Sequence, residues 1–132
     1  MIVVDASVLA NALADDGTDG ATARSRLTDA VPLAAPDLID VETVAVLRKR
    51  WIAGDLTDER FSDAIDDLED LDLTRYPTLP LMRRAFELRS NVTAHDATYV
   101  ALAERIGCTL ITADQRLASA PTMTCPVEVL HT

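Results

Sequence analysis

Cysteine, histidine, glycine and aromatic side chains are all scarce in this chain, and each shortage closes off a class of explanation. The two cysteines, Cys108 and Cys125, form no Cys-x-x-Cys pair, and the two histidines, His95 and His131, lie far apart. That spacing predicts no zinc site. In a reducing compartment the cysteines read as small buried hydrophobes rather than as a disulfide. Four glycines make no phosphate-cradling loop, and no Ser-His-Asp or cysteine nucleophile set is recognisable. No stretch approaches the ~20 uninterrupted apolar residues of a membrane span. Ile2-Val3-Val4 runs straight into Asp5 with no basic segment before it, which predicts no secretory signal and a cytoplasmic protein with no membrane association. Lys49 is the only lysine, in the wrong region for a receiver domain, which also clusters acids beside a parallel sheet.

What is present is a chain of 132 residues, 48% apolar, enough for one domain over residues 1–132 with its own core. Twelve basic residues stand against 22 acidic ones, a formal charge of −10, which is poor for binding phosphates. The surplus is local. From Asp55 to Asp72 nine acids face Arg60 alone, so the rest of the surface is nearly balanced.

The hydropathy pattern alternates strands with helices. Ile2 to Val4 suits a buried parallel strand. Ser7 then caps a helix over Val8 to Leu13, and a second helix covers Ala21 to Asp29. Leu33 to Ala35 is a short strand, and Asp37 caps a helix from Leu38 to Ala53 that ends at Gly54. Thr57 caps an acidic helix whose Phe61, Ala64, Ile65 and Leu68 share one face; the segment 57–70 reads as a solvated outer face or a surface for a basic partner. Leu71 to Tyr76 is a strand, Pro80 opens a helix, and Thr93 caps another that runs to Ile106 and stops at Gly107. Thr109 to Thr112 and Val127 to Leu130 are the last strands. The alternation predicts an α/β fold of three layers, with a central, mainly parallel five-stranded sheet between helices.

In such folds the functional site lies beyond the carboxyl ends of the strands. Asp5 directly follows the first strand, and Asp114 follows Thr112 with one residue between; each alone could be an ordinary turn residue. Asp96 sits third after the cap Thr93, where a capping-box acid is the bland reading. On a helical wheel, however, it shares the arc of Tyr99, Val100 and Ala103, and an inward carboxylate is costly unless paired or metal-bound. Glu42 lies among Leu38, Val41, Ala45 and Val46; an ion pair with Arg48 or Lys49 is the bland reading, at unfavourable spacing. Four carboxylates without nitrogen or sulfur donors suit magnesium or manganese, ions that support in-line phosphoryl displacement.

These segments resemble a known family. Val3-Val4-Asp5-Ala6-Ser7 is similar to the opening of PIN domains. The stretch from His95-Asp96-Ala97 to Ala101-Leu102-Ala103-Glu104 resembles their most recognisable helix, and Leu110-Ile111-Thr112-Ala113-Asp114 resembles their closing strand motif. Glu42 stands where the family's helix glutamate is expected. The ordered set spans the whole chain, and its length resembles the bacterial VapC toxins, from which His95 departs in place of a frequent tyrosine. The resemblance implies an endoribonuclease dependent on Mg2+, with Mn2+ as substitute, that cuts transfer or ribosomal RNA and inhibits translation. It implies a homodimer and a cognate VapB-type antitoxin. Asp5, Asp96 and Asp114 would be the principal metal ligands and Glu42 a fourth or the positioner of water; Ser7 and Thr112 would be supporting hydroxyls. Arg24, Arg26, Arg83, Arg84, Arg89 and Arg116 are candidate RNA contacts, each with a solvated charge as its bland reading. Leu38, Val44, Trp51, Leu79 and Leu81 offer partner surface or core. The alternatives are a PIN-like module that binds RNA or metal without cleaving, and a carboxylate-metal phosphatase or DNA nuclease.

Overall fold

A computed structural model describes residues 1–29, 32–121 and 124–130. His131 lies outside the described residues. Five strands, β1 (Ile2–Val4), β2 (Leu33–Pro36), β3 (Leu73–Tyr76), β4 (Thr109–Thr112) and β5 (Val127–Val129), form one sheet in the order β3-β2-β1-β4-β5. Every pairing is parallel, so the sheet goes further than the mostly parallel one expected. Parallel strands need covering on both faces, and β1 is buried at all three positions.

The strand order fixes where the helices lie. From β1 to β2 to β3 the chain steps one way across the sheet; from β3 to β4 it jumps back past β1. Right-handed crossovers then place the two sets of helices on opposite faces. On one side α1 (Ala6–Ala14) packs against α2 (Thr18–Asp29), α3 (Ile39–Ile52) and α4 (Asp58–Asp70). On the other α6 (Ala94–Ile106) lies across β1, β2 and β4 with α5 (Met82–Glu87) against it. Helix α6 is accordingly buried at every position from Ala97 to Ala103. It ends at Gly107, whose φ of 69° is the left-handed conformation a side chain resists. Between β1 and β4 the direction of winding reverses, and the ends of these two strands flank the crevice where ligands of open α/β sheets bind.

Several local expectations need correction. Asp5, not Ser7, caps α1: its carboxylate accepts from the Val8 amide, and the helix starts two residues early. Helix α2 starts at Thr18, three residues early, and its Gly20 lies against the Asp15 carbonyl, where a Cβ would come within 1.7 Å. Asp37 does not cap α3, which begins with no side-chain cap; its carboxylate is taken by the Thr78 hydroxyl. Pro80 lies in a 3-10 turn, Leu79–Leu81, and α5 follows it. A four-residue helix, α7 (Gln115–Ala118), follows β4 unanticipated. Cys108 and Cys125 are free thiols, and only partly buried. Leu81 is core, Leu38 and Val44 are partly buried against it, and Trp51 and Leu79 are exposed. The acids of α4 point outward while Ala64 and Leu68 are buried. Among the described residues no helix is long and apolar enough to cross a membrane.

Candidate active site

Asp5 leaves the end of β1 at the reversal point, and its backbone N–H still bonds the Ile111 carbonyl of β4. Its side chain is 6% exposed, and both carboxylate oxygens are engaged. One accepts from the Ser7 hydroxyl at 2.6 Å and the Val8 amide at 3.1 Å; the other accepts from the Thr112 hydroxyl. The same hydroxyls accept in turn from the next strand's exit loop, Ser7 from the Ala113 amide at 3.1 Å and Thr112 from the Asp114 amide at 3.0 Å. Ser7 and Thr112 therefore lace the carboxyl ends of β1 and β4 around one buried carboxylate. Each satisfies a group whose burial without a partner would cost about 1–3 kcal/mol.

The other three acids arrive from separate segments. Thr93 caps α6 by accepting from the Asp96 amide at 3.3 Å, which fixes Asp96 in the first turn. Glu42, in the first turn of α3, accepts from the phenol of Tyr99 at 2.8 Å; Tyr99 lies one turn along α6 from Asp96. Asp114 caps α7 and is gripped by Arg116, whose guanidinium donates at 3.2 and 3.1 Å. Asn91, Thr93, Asp96, Asp114 and Arg116 line an open concavity of about 230 Å³.

The profile of the PIN domain family matches residues 2–122. The chain belongs to the PIN domain family. Ribonuclease VapC9 of Mycobacterium tuberculosis is 41% identical over 130 residues, covering 98% of this chain and 98% of that protein. Two solved structures share the fold. One is the M. tuberculosis VapC20 structure, described as a sarcin-ricin loop cleaving toxin, at 18% identity and TM-score 0.71, covering 94% of this chain and 97% of the other. The second is VapBC2 of Rickettsia felis bound to a DNA fragment from its promoter, at 15% identity and TM-score 0.67, covering 99% and 100%.

In this PIN domain the acids act on one another. Burial is the main cause that raises the proton affinity of Asp5, and the charge of Asp96 adds to it against the lowering by Ser7, Thr112 and Val8. Glu42 is raised by burial first, then by Asp96 and Asp5, while Tyr99 and His95 oppose the shift. Asp96 is raised by burial and by Asp114, with Thr93, Arg116 and His95 opposing. Asp114 alone is lowered, because Arg116 holds it. Mutual repulsion among carboxylates from distant parts of the chain shows that they share one electrostatic environment.

That donor set, oxygen only and short of positive charge, has the chemistry of a site for a hard divalent cation. Among the described residues no three acidic, histidine or cysteine side chains are drawn together closely enough to hold an ion. Asp5 is turned into its hydroxyl cradle, and Asp114 is turned to Arg116. The Arg116 side chain is 92% exposed.

Sequence reasoning singled out the four acids as candidates but not the pairing of Glu42 with Tyr99 or of Asp114 with Arg116. Glu42 pairs with Tyr99 rather than with Arg48 or Lys49. Of the six arginines considered for RNA, Arg24 bonds the Ala12 and Asp15 carbonyls, Arg26 bonds Glu128, Arg84 bonds Glu104 and Arg116 bonds Asp114. Arg83 and Arg89 instead flank Phe86.

Proposed function

We propose that this PIN domain is a metal-dependent endoribonuclease and the toxin of a VapBC module. What supports the reading is a chain of pairwise charge influences, Asp96 acting on Asp5 and Glu42 and Asp114 acting on Asp96, among acids carried by four segments of which two, those of Asp5 and Asp114, follow the strands where the sheet reverses its winding. Asp5, Asp96 and Asp114 would hold magnesium or manganese, with Glu42 beside them. Such an ion supplies positive charge at the phosphodiester and raises the acidity of nearby water. Glu42, its proton affinity raised by burial, takes the proton of the attacking water, and Tyr99 fixes the oxygen that does not receive it. Thr112 and Ser7 aim Asp5 and oppose part of the rise in proton affinity that its burial causes. Displacement by water leaves a 5′-phosphate and a 3′-hydroxyl, because the ribose 2′-hydroxyl takes no part.

The substrate in this reading is a structured RNA, transfer or ribosomal, cut in the cytoplasm to halt translation. Similarity to named VapC ribonucleases and the VapBC2 fold supports a VapB-type antitoxin as partner. Exposed apolar side chains, among them Val41, Trp51, Ile52 and Leu79, offer surface for the antitoxin and for a second copy in a homodimer.

The test is cleavage of total bacterial RNA by the purified chain in magnesium or manganese, beside Asp5→Ala. Discrete 5′-phosphorylated fragments from the wild type alone, abolished by EDTA, are expected. Equal cutting by both proteins would sink the carboxylate mechanism. Stable RNA binding without cleavage under every metal condition would favour the non-cleaving module instead.

A further inference from the structure

The segment Leu81 to Arg89 buries three apolar side chains, packs Met82 partly against the core and leaves Phe86 outside. Leu81, Ala85 and Leu88 recur at helical spacing and are buried, which directs Phe86 away from the core; it is 52% exposed. Two arginines meet on its ring. The Arg83 guanidinium lies 5.7 Å from the ring centroid and that of Arg89 4.0 Å. Arg89 folds back over the helix end, where its side chain and its amide both donate to the Phe86 carbonyl, at 2.9 and 3.2 Å.

Capping and an exposed cation–π contact, worth about 0.5–1 kcal/mol, account for the posture of Arg89. They do not account for a second cation on the same exposed ring. The contrast with the neighbouring Arg84 is informative: it is matched by Glu104 through a two-pronged contact at 2.7 and 3.0 Å. Arg83 and Arg89 have no carboxylate within ion-pair distance among the described residues. Other basic residues also lack a carboxylate at that distance; what sets Arg83 and Arg89 apart is that both stand on one exposed aromatic ring.

Its location connects it to the carboxylates. Helix α5 packs against α6, on the face of the sheet opposite the acidic α4. Asp96 is seven positions after Arg89, so their Cα atoms are at most roughly 25 Å apart. Turn bonds from the Asn91 and Val92 amides to the Leu88 carbonyl shorten that span. The connecting loop supplies Asn91 and Thr93 to the concavity that also holds Asp96 and Asp114.

We propose that Arg83, Phe86 and Arg89 form a docking point for single-stranded RNA flanking the scissile phosphodiester. The guanidiniums bind phosphates, and the arginine and phenylalanine planes stack an unpaired base, as unstacked RNA bases do on such groups. The proposal rests on the ribonuclease reading and adds to it where the substrate runs.

The test is fluorescence anisotropy of the intact chain in EDTA with a labelled oligoadenylate of about 15 nucleotides, within the usual range of single-strand sites. Salt is varied, and the proteins compared are wild type, Phe86→Leu and the double variant Arg83→Gln with Arg89→Gln. Loss of one stacked base weakens binding about five- to 150-fold in Phe86→Leu, with the salt slope kept. Loss of two phosphate contacts lowers the slope of log K against log salt by about 1.4 in the double variant. Sedimentation and melting curves monitor assembly and fold. Variants that bind like wild type, wild type that does not bind, or variants that change oligomeric state would each overturn the proposal; the last would make this a face between copies. Cleavage of total RNA by wild type in manganese separates the two readings: persisting cleavage beside a negative binding result leaves the ribonuclease intact and removes only the docking point.

Discussion

Replacing Asp96 by asparagine should make the metal-free protein more stable and the enzyme inactive. Asp5, Glu42 and Asp96 bind protons more tightly in the folded chain than in free solution, each chiefly through burial and further through a neighbouring acid, Asp96 for Asp5, Asp96 and Asp5 for Glu42, and Asp114 for Asp96. The native state therefore holds more protons than the unfolded state above their ordinary values of 3.8 and 4.5. Its stability falls as the pH rises through their folded values. Glu104, lowered to about 2, and Asp114, also lowered, are ionised in both states above pH ~5 and add no slope there. Asparagine keeps the size of Asp96 and an acceptor for Thr93 while removing the charge. Relief of strain at a functional site commonly yields about 0.5–2 kcal/mol, and 1 kcal/mol corresponds to roughly 3–5 °C in a chain of this size.

Melting curves in EDTA at pH 5 and pH 7.5 would measure this. Asp96→Asn should melt several degrees above wild type at pH 7.5, and the gap should narrow at pH 5, where the wild-type site takes up protons. Manganese should reverse the order. At a concentration about 100 times its dissociation constant, a ligand that binds only the native state adds about 2.7 kcal/mol, roughly 8–13 °C here. Wild type should gain that increment and the variant much less. A variant that melts at or below wild type in EDTA at pH 7.5, or equal gains with manganese, would refute the view that these acids form one strained cation site.

Other perturbations follow from single contacts. Tyr99→Phe removes a hydrogen bond to a carboxylate, a contact worth about 1.5–3 kcal/mol; kcat should fall about tenfold or more with KM little changed. Because the phenol lowers the proton affinity of Glu42, the acid limb of the pH–rate profile should also move to higher pH. Arg116→Ala releases Asp114, whose proton affinity should return toward its ordinary value; calorimetry should then show tighter manganese binding, and weaker binding would mean that Arg116 assists the site. Glu104 receives Arg84, the Thr124 amide and the Thr124 hydroxyl. Glu104→Gln should cost about 2 kcal/mol in urea unfolding at pH 7, within the range for hydrogen bonds to charged groups. Since Glu104 is lowered from 4.5 to about 2, the deficit should shrink as the pH falls through that window.

The acids were legible because their positions follow from one-dimensional periodicities. A strand of three or four apolar residues announces where Asp5 and Asp114 emerge, and helical spacing sets Asp96 on the arc of Tyr99 and Val100. The contacts that hold them were not legible. Tyr99 and Glu42 are 57 residues apart, and nothing local to either distinguishes that pairing from an ion pair with Arg48. Capping of α1 was misread for a related reason. Asp5 and Ser7 both offer an oxygen at the helix start, and the choice is made by Ala113 and Thr112, which belong to a strand more than a hundred residues later. Helix α7 is four residues long, too short for a period of 3.6 to register. Asp37 shows the same limit: a good cap residue was claimed by Thr78 across the sheet edge.

The charge of the chain argues less against RNA than its total suggests, and the reason is topological. Nine of the 22 acids lie between Asp55 and Asp72, on α4 and its flanks. Helix α4 belongs to the connection from β2 to β3, which steps in the same direction as the first crossover and so shares the face of α1. The connection from β3 to β4 steps the other way, and handedness places α5 and α6 on the opposite face. The single reversal in strand order thus separates the most acidic helix from the wall that carries Arg83 and Arg89, with the sheet between them. Charges separated by more than about 8–10 Å of solvent path are largely screened at physiological salt. The field at the crevice is therefore set by the local groups, the carboxylates together with Arg83 and Arg89, and only weakly by the far layer.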